Sequence, residues 1–348
     1  MTTRFLPEWV PQDAVMYAWP HEDTDWAPWL DEISATYVEL TAAVAQAATP
    51  LILCQSETHE SSIRHQLGGS LADVCRFVQL PYDDTWCRDY GPLTLGTPTP
   101  IQLLDFQFSG WGDKYEASHD NEVNRHLSRT GRMRLPLKSI DIELEGGSVE
   151  TDGDGTLMTT EACLLGGNRN EHLSREHLEE SLRELFGVSR ILWIKNGFLQ
   201  GDDTDSHVDN LVRFASTDTL VHAVCDRPDD VHHAPLQAMK SELEQLTQSN
   251  GEPYRLIELP IPETQTDETG RRLPASYVNF LIVNHCIIMP TFSSAYDSIA
   301  QTRLQEAFPQ HRILCITGSA LIKQNGGPHC ATMQLPRGTV HLGGESRV

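Results

Sequence analysis

The sequence predicts an α/β protein made of about five similar units, each with the order strand, turn, strand, helix, strand. Amphipathic helical stretches alternate along the chain with short apolar and β-branched runs. Several of these runs form pairs around a turn signal. Division of the 348 residues by five gives about 70 per unit, a repeat-like organisation that predicts a pseudo-symmetric ring. The alternative is an ordinary mixed α/β protein, because the spacing between units is irregular and their identity is low.

The helices are predicted from apolar residues that recur at helical spacing. In the fourth candidate, Leu178, Leu182 and Leu185 recur in this way, with charged residues between them. The six predicted helices are 27–48, 57–69, 117–130, 171–186, 233–248 and 298–307.

The strand pairs are predicted from their turns. Asp-Gly occurs twice at the first bend, Ser-Thr-Asp forms the second, and Asn284 with His285 forms the third. The fifth pair is either cut short by the chain end or completed by an N-terminal strand near Ala14 to Trp19. The predicted pairs lie in 146–160, 207–224, 276–292 and 88–106, with the fifth beginning in 329–338.

Composition narrows the function classes. The chain has 26 Lys and Arg against 49 Asp and Glu, a net charge of −23, which disfavours nucleic-acid binding and suits a cationic partner. Apolar runs fall short of the roughly 18 residues of a membrane span, and the N-terminus does not resemble a signal peptide. No linker interrupts the chain. These features predict one cytoplasmic domain over 1–348, without a membrane segment.

A histidine and an aspartate two residues apart form the strongest local cluster, in GDDTDSHVDNLVRF (201–214). If this segment is a strand, His207 and Asp209 face the same side and offer an imidazole and a carboxylate together. The acidic residues before them, including Asp203, are explained equally well as a solvated loop. A solvated loop does not explain Asp209, because apolar strand residues follow it closely.

Three other candidates lie at the starts of predicted units. Asp89 follows an arginine in TWCRDYGPLTL, which also fits a surface turn with a local ion pair, and Glu145 precedes a glycine pair in ELEGGSVE. Cys330 ends a loop with two glycines, which predicts an accessible thiol rather than a packed one. Of the eight cysteines, scattered without CxxC pairs, Cys87 is the second choice for a nucleophile. A ring would bring these unit starts together at its axis.

Several segments together carry a family resemblance. They run in order from about Pro7 to Gln334, and the chain resembles the agmatine deiminase family, grouped with bacterial-type peptidylarginine deiminases in the guanidine-modifying superfamily. This resemblance implies a five-bladed αβ-propeller (pentein) of pseudo-symmetric ββαβ units and a homo-oligomer. The segments are PEWVPQDAVMYAWP (7–20), WCRDYGP (86–92), LEGGS (144–148), TTEACLLGGNRN (159–170), GDDTDSHVDNLVRF (201–214), YVNFLIVN (277–284) and GGPHCATMQ (326–334).

The resemblance also implies the roles of the site residues. Cys330 matches the nucleophile and His207 the general acid/base, while Glu145 matches the carboxylate that orients and charges the histidine. Asp89 and Asp209 match the guanidinium-binding carboxylates. Trp86 matches an aromatic lining the channel. Asp203 completes the predicted substrate-binding residues on a different ground, because the acidic group before His207 suits a diamine-like cation. No cofactor and no metal are expected. Tyr90 stands where many members have threonine, and the glycine run before Cys330 is short, which leaves the exact substrate open.

The chemistry of guanidines explains why this set is needed. A guanidinium is planar and charged, and its fork of N–H donors suits paired carboxylates. Its carbon is a poor electrophile, so the site needs a thiolate. Carboxylates nearby should raise the pKa of Cys330, so a cationic substrate would assist its activation. A zinc site built from the same side chains is the rival chemistry, but neither HExxH nor paired CxxC occurs.

The predicted function is hydrolysis of agmatine to N-carbamoylputrescine and ammonia through a covalent thiouronium on Cys330. Arginine or peptidyl-arginine deimination is the alternative within this chemistry. A propeller that binds a guanidino ligand without turnover is the alternative from a different class.

Overall fold

The computed structural model describes residues 3–97 and 99–343, which form five small sheets. Two sheets have four strands, in the orders β1-β5-β6-β7 and β17-β2-β3-β4, and three have three strands, β10-β9-β8, β11-β12-β13 and β14-β15-β16. The strands are β1 (Arg4–Phe5), β2 (Gln12–Ala18), β3 (Thr49–Cys54), β4 (Arg76–Gln79), β5 (Leu93–Gly96), β6 (Pro100–Gln107), β7 (Leu137–Glu143), β8 (Glu150–Thr151), β9 (Thr156–Thr160), β10 (Arg190–Ile194), β11 (Val212–Phe214), β12 (Thr219–Val224), β13 (Arg255–Pro260), β14 (Leu281–Val283), β15 (Cys286–Thr291), β16 (Arg312–Thr317) and β17 (Met333–Pro336).

Helices connect the strands within each sheet, and all six predicted helices are present with shifted ends. The predicted helix 171–186 begins only at Arg175, because the Ser174 side chain accepts a hydrogen bond from the backbone N–H of His177 and so caps the helix. The helices are α1 (Leu30–Val44), α2 (Glu57–Leu67), α3 (Gly69–Val74), α4 (Cys87–Tyr90), α5 (Gly110–Asp113), α6 (Val123–Arg129), α7 (Glu161–Leu164), α8 (Arg175–Phe186), α9 (His233–Leu243) and α10 (Asp297–Ala307).

Each sheet repeats one connection pattern. A strand pairs antiparallel with its hairpin partner, and a helical connection then leads to a parallel strand on its other side. In the third sheet, β11 and β12 are antiparallel, α9 follows, and β13 runs parallel to β12. The same arrangement occurs in β5-β6-β7, β8-β9-β10 and β14-β15-β16. The fold is therefore the predicted five-bladed αβ-propeller of ββαβ units.

The two ends of the chain share one blade. Strand β17 pairs antiparallel with β2, with Met333 opposite Met16, and β2 runs parallel to β3. The N-terminal strand thus completes the hairpin that begins near the C-terminus, as one of the two sequence alternatives predicted. The pairing matters for the site because it fixes the segment after Cys330 to strand β2.

The core lies on both sides of the middle strands. Strands β9 and β15 are buried almost throughout, since each has a sheet neighbour on both edges and packed side chains on both faces. Helix α8 buries only Leu178, Leu182 and Phe186 and exposes its charged residues. In the described part of the chain, no helix has the length and apolar character needed to cross a bilayer.

One predicted strand start is wrong. The residues around His207 do not continue strand β11 but form a 3-10 turn over Val208–Asn210, and the strand begins at Val212. Asp205 and Ser206 before it have φ of 65°, a left-handed conformation that ends any extended segment. His207 and Asp209 therefore share a side because of a tight turn, not because of strand alternation.

Candidate active site

The candidate residues from different blades meet around Gly147. A methyl group on this glycine would lie 2.7 Å from Nδ1 of His207, 2.8 Å from Oδ1 of Asp89 and 3.0 Å from Oδ2 of Asp209. Asp89 lies in α4, Gly147 lies in the 3-10 turn Gly146–Ser148, and the other two belong to the turn before β11. The axis of the propeller thus brings together side chains that are up to 120 positions apart in the chain.

Cys330 is buried, which corrects the prediction of an accessible thiol. Its relative exposure is 4%, and it contributes to the wall of a pocket together with Asp89. Its Sγ receives a hydrogen bond from Nδ2 of Asn279 at 3.0 Å and lies 3.4 Å from Oδ2 of Asp209. Burial, followed by the negative charges of Asp209 and Asp89, raises the pKa of Cys330 well above its ordinary value. The direction was predicted from the carboxylates, but burial is the larger cause.

Asn279 holds the loop that presents the thiol. Its Oδ1 accepts hydrogen bonds from the backbone N–H groups of His329 at 3.1 Å and Cys330 at 3.2 Å. The same side chain therefore fixes the Cys330 backbone and donates to its sulfur. The sequence offered only a weak signal for this residue, a single asparagine interrupting an apolar run before β14.

Asp89 accepts two hydrogen bonds that fix its carboxylate. The indole Nε1–H of Trp111 donates to Oδ2 at 2.9 Å, and the backbone N–H of Gly147 donates to Oδ1 at 2.9 Å. Burial raises the pKa of Asp89 to about 6, although the nearby His207 acts in the opposite direction. The surface turn with a local ion pair is excluded, because Asp89 is only 4% exposed and its partners come from other segments.

Asp209 has one bound and one free oxygen. Its Oδ2 lies 2.7 Å from Nδ1 of His329, whereas Oδ1 is buried with no hydrogen-bond partner among the described residues. Burial alone would raise the pKa of Asp209, but the hydrogen bond and charge of His329 lower it below its ordinary value. The carboxylate is therefore ionised, and Oδ1 is available to a donor from a ligand.

The imidazole of His207 is fully buried between two carboxylates. Its Nδ1 lies 3.6 Å from Oδ1 of Asp89 and its Nε2 lies 3.8 Å from Oε2 of Glu145, both beyond hydrogen-bond distance. Neither ring nitrogen has another partner in the described chain. Burial acts to lower the pKa of His207, but the charge of Asp89, followed by the neighbouring Cys163 and Glu145, raises it well above its ordinary value. The ring is thus an imidazolium with unused donors.

Glu145 is anchored by an arginine that the sequence reasoning did not identify. Nε of Arg169 donates to the two carboxylate oxygens at 2.6 and 2.9 Å, and both side chains are almost fully buried. Burial alone would raise the pKa of Glu145, but His207 and Arg169 lower it. Glu145 therefore stays a carboxylate beside His207, as its predicted orienting role requires. Arg169 follows two glycines and an asparagine in an apparent surface turn, so only the tertiary contact reveals it.

A narrow pocket of about 380 Å³ leads to the thiol. Trp86 lines it as predicted, packed against Trp26 with ring centroids 5.8 Å apart. Asp203, the predicted substrate contact, lies in the wall together with Asp25 and Asp84. The full lining is Asp25, Asp84, Trp86, Asp89, Trp111, Tyr115, Asp203, Thr204, Gln324, Asn325, Gly326 and Cys330.

Carboxylates dominate the outer part of this pocket. Asp203 accepts hydrogen bonds from Tyr115 Oη–H at 2.9 Å and from Nδ2 of Asn325 at 2.8 Å. Burial, with contributions from the charges of Asp25 and Asp203, raises the pKa of Asp84 to about 7. In the described part of the chain, no lysine or arginine lines the pocket. The mouth therefore favours a positively charged group.

Among the described residues, two groups of side chains have the ligand types for a metal ion, but an arginine pairs with members of each group. Glu145, Cys163 and His207 lie within 4.8 Å of one another, yet Arg169 already pairs with Glu145. In the group of Glu8, Glu150 and His329, the guanidinium of Arg213 pairs with both glutamates. A buried guanidinium next to the ligands opposes a second cation. Cys163 also lies beside His207.

Gly147 allows a prediction about the close approach of the three catalytic candidates. Gly147→Ala is expected to lower kcat/KM at least about 100-fold, because the methyl group would displace His207 and both aspartates from their common centre. Gly69→Ala is the control, because nothing lies within 4 Å of its added methyl group. Steady-state kinetics of the two variants, with thermal unfolding to monitor folding, measure the effect. Equal activity of the two variants would contradict the crowded geometry.

Comparison with known proteins gives one consistent group of matches. A family model described as Porphyromonas-type peptidyl-arginine deiminase matches residues 4–336. An agmatine deiminase of Pseudomonas aeruginosa (strain LESB58) is 32% identical over 357 aligned residues, which cover 96% of this chain and 95% of that protein. The structure of a C. jejuni agmatine deiminase with substrate bound has a TM-score of 0.90 and 35% identity, over 97% of each chain. A Porphyromonas gingivalis structure, provisionally assigned as an arginine deiminase, has a TM-score of 0.91 and 41% identity, over 97% of this chain and 100% of that one.

Proposed function

Because the chain belongs to the agmatine deiminase family, within the Porphyromonas-type peptidyl-arginine deiminases, we propose that it hydrolyses agmatine to N-carbamoylputrescine and ammonia. The observation that carries this function is the cluster of unpaired polar atoms around the thiol. Oδ1 of Asp209 and both ring nitrogens of His207 are buried without partners among the described residues. Buried polar groups are rarely left unpaired, so this cluster supports a polar substrate as the missing partner.

Asp89 and Asp209 are the proposed guanidinium ligands. Their carboxylates both approach Gly147, and a planar guanidinium between them would donate its N–H groups to each side. The free Oδ1 of Asp209 supports this role directly. Bound in this way, the guanidinium carbon lies near Cys330, whose Sγ is 3.4 Å from Asp209.

The first half-reaction is proposed to begin with the thiol. Burial and two carboxylates disfavour the thiolate in the empty site, and the arriving cation offsets that negative charge. Cys330 then releases its proton to solvent, and its Sγ attacks the guanidinium carbon and forms a tetrahedral intermediate. The imidazolium of His207 donates a proton to the departing nitrogen, ammonia leaves, and an S-alkylthiouronium remains on the sulfur.

The second half-reaction uses the same histidine as a base. Neutral His207 takes a proton from water, and the water oxygen attacks the thiouronium carbon. The carbon–sulfur bond breaks as the new hydroxyl becomes the carbonyl, the hydroxyl proton passes to the sulfur of Cys330, and the ureido product leaves. Glu145, held by Arg169, stabilises the imidazolium in each protonated step.

The acidic mouth supports agmatine over arginine. Agmatine carries a primary ammonium at the end opposite its guanidinium, which matches Asp25, Asp84 and Asp203 in the pocket wall. Arginine would instead bring a carboxylate into this negative field. Lys114, near the rim, donates to Asp205 and to the backbone carbonyl of Asp203, so its charge is already engaged.

Two alternatives remain to be tested against agmatine. Arginine or peptidyl-arginine deimination would use the same chemistry, and the similarity to the P. gingivalis protein gives it a specific basis. A protein that binds a guanidino ligand without turnover would have no use for a buried thiol and a buried imidazole that both face Asp209 and Asp89. The presence of both groups with Glu145 argues against binding alone.

The deciding experiment is measurement of ammonia and ureido product from agmatine, arginine and a blocked arginyl peptide. Turnover of agmatine alone, lost in Cys330→Ala, is the expected result. Turnover of the arginine compounds instead would keep the mechanism and replace the substrate. Labelling of Cys330 by a haloacetamidine, blocked by substrate, without any turnover would favour the binding protein.

Asp203 gives a prediction about substrate choice. Asp203→Asn is expected to raise KM for agmatine about tenfold with little change in kcat, because the carboxylate lies in the pocket wall away from the reacting atoms. Asp229→Asn is the control, since it removes the same charge from an exposed position outside this pocket. The ratio of kcat/KM for agmatine and arginine is the readout, and an unchanged ratio would remove Asp203 from the substrate contacts.

We also propose a homo-oligomer, which sedimentation of the purified protein would test.

A further inference from the structure

A chain of buried charged side chains runs from the N-terminal segment to the candidate active site. We propose that His329, held doubly protonated by Glu8, is a positioning residue that fixes Asp209 for guanidinium binding and supplies positive charge next to Cys330. This inference rests on the proposed function for its kinetic consequences. The contacts on which the inference is based do not depend on the proposed function, and one of its tests needs no substrate.

The two ring nitrogens of His329 both face carboxylates. Nδ1 lies 2.7 Å from Oδ2 of Asp209, and Nε2 lies 2.6 Å from Oε1 of Glu8. A carboxylate accepts hydrogen bonds but does not donate them, whereas a neutral imidazole has only one N–H. With both carboxylates ionised, only a ring with an N–H on each nitrogen would satisfy the two contacts. His329 is 1% exposed, so water cannot replace either partner.

Glu8 has surroundings that keep it ionised. It pairs with Arg88 at 3.1 Å and with Arg213, and it accepts a hydrogen bond from Nε2 of Gln334 at 2.9 Å. Burial alone would raise the pKa of Glu8, but Arg213, His329 and Arg88 together lower it well below its ordinary value. Glu8 therefore acts as an acceptor for His329 rather than taking its proton.

The hydrogen bond from His329 decides which oxygen of Asp209 is available. Oδ2 is occupied by His329 and also lies 3.4 Å from the thiol of Cys330. Oδ1 has no partner in the described chain and is left for the substrate. Without His329, the carboxylate could rotate, and its charge would act on the thiol without compensation. A positive charge on the far side of Asp209 also favours the thiolate once substrate arrives.

The sign of the pH effect follows from the charges around the ring. Loss of the imidazolium removes a positive charge near Cys330 and near Asp209, so the pKa of each should rise. The acidic limb of the kcat/KM profile should then move to higher pH. The charged or titratable groups facing or adjoining His329 are Glu8, Asp209, Cys330, Arg88, Arg213 and Glu150.

The test begins with His329→Gln, whose amide has similar size but no charge. We expect kcat/KM for agmatine to fall about 100-fold and its acidic limb to move up by about one pH unit. The matched control is His232→Gln. His232 is 3% exposed and has both ring nitrogens paired, with Asp230 and with the backbone N–H of Gln200, but it lies outside the candidate site. An unshifted profile in His329→Gln would overturn the proposal, even if the rate fell.

A second readout works without substrate. The rate of Cys330 alkylation by iodoacetamide, followed by mass spectrometry of the peptide that contains it, should shift to higher pH in His329→Gln and not in His232→Gln. This result is expected even if agmatine proves not to be the substrate, which separates failure of this inference from failure of the proposed function. Identical alkylation profiles for the two variants would overturn the role of His329.

Glu8 tests whether the effect passes through the histidine. Glu8→Gln should also lower kcat/KM, but by a smaller factor than His329→Gln, because Glu8 contacts His329 and not Asp209. The double variant should be no less active than His329→Gln alone. Additive losses would mean that Glu8 acts by another route. Because Glu8→Gln keeps the size of the side chain, it also serves if His329→Gln fails to fold, and an unshifted pH profile in Glu8→Gln would then overturn the proposal.

Discussion

Cys330→Ser is expected to lower kcat for agmatine by at least about 10⁴-fold. A hydroxyl is a much weaker nucleophile than a thiolate, and nothing at this position could activate it. Among the described residues, the side-chain hydrogen-bond partners of Sγ are Nδ2 of Asn279, which is a donor, and Oδ2 of Asp209, which is already shared with His329. Ammonia release under saturating agmatine measures the effect, and substrate binding to the inactive variant should persist.

Cys87→Ser is the matched control for the nucleophile. Cys87 is also buried and lies two residues before Asp89, but its thiol is paired with Tyr90 Oη at 3.0 Å and does not line the pocket. Burial raises the pKa of Cys87 to about 12, so it is a poor source of thiolate. Its replacement should leave kcat within about twofold. Loss of activity in Cys87→Ser with retention in Cys330→Ser would reverse the assignment.

His207→Gln is expected to lower kcat about 10³-fold, a size typical for loss of a general acid/base. The variant keeps a polar side chain but cannot move a proton between the leaving nitrogen and water. Because hydrolysis of the thiouronium requires the base, the variant should accumulate a covalent adduct on Cys330. Intact-protein mass spectrometry after mixing with agmatine should show a species heavier by the substrate less ammonia.

His232→Gln again provides a buried histidine outside the site, and it should show neither the rate loss nor the adduct. The proposed role of His207 fails if His207→Gln retains more than about a tenth of the natural kcat. A loss of activity without adduct would instead limit its role to the first half-reaction. The two outcomes can be separated because ammonia release and ureido product are measured independently.

The repeat organisation was predicted correctly because its signals are local. Turn residues and alternating apolar runs lie next to one another in the chain, so the hairpins at β8-β9, β11-β12 and β14-β15 could be identified directly. Helix ends shifted because capping depends on a few backbone hydrogen bonds, as at Ser174. The segment at His207 was wrongly predicted to be strand. The left-handed residues before it, Asp205 and Ser206, are not glycines, so the local sequence carries no signal for the turn.

The site was predicted in part. Cys330, His207, Glu145, Asp89 and Asp209 do come together, while their catalytic roles await the tests above. The residues that support them were not foreseen. Arg169 and His329 lie in segments that resemble ordinary loops, and Asn279 interrupts an apolar run, so their contacts with distant residues could not be predicted from the local sequence.

The sequence by itself determined the number of units and the alternation of strands and helices, because each depends on neighbours within a few positions. It also supplied the candidate site residues, whose roles the family resemblance implies. Only the tertiary structure decided that Cys330 is buried, that Oδ1 of Asp209 is free, and that His329 lies between Asp209 and Glu8. These properties depend on distances between residues 120 or more positions apart. Hydrogen bonding, burial and pKa all follow such distances, which no local pattern of the chain encodes.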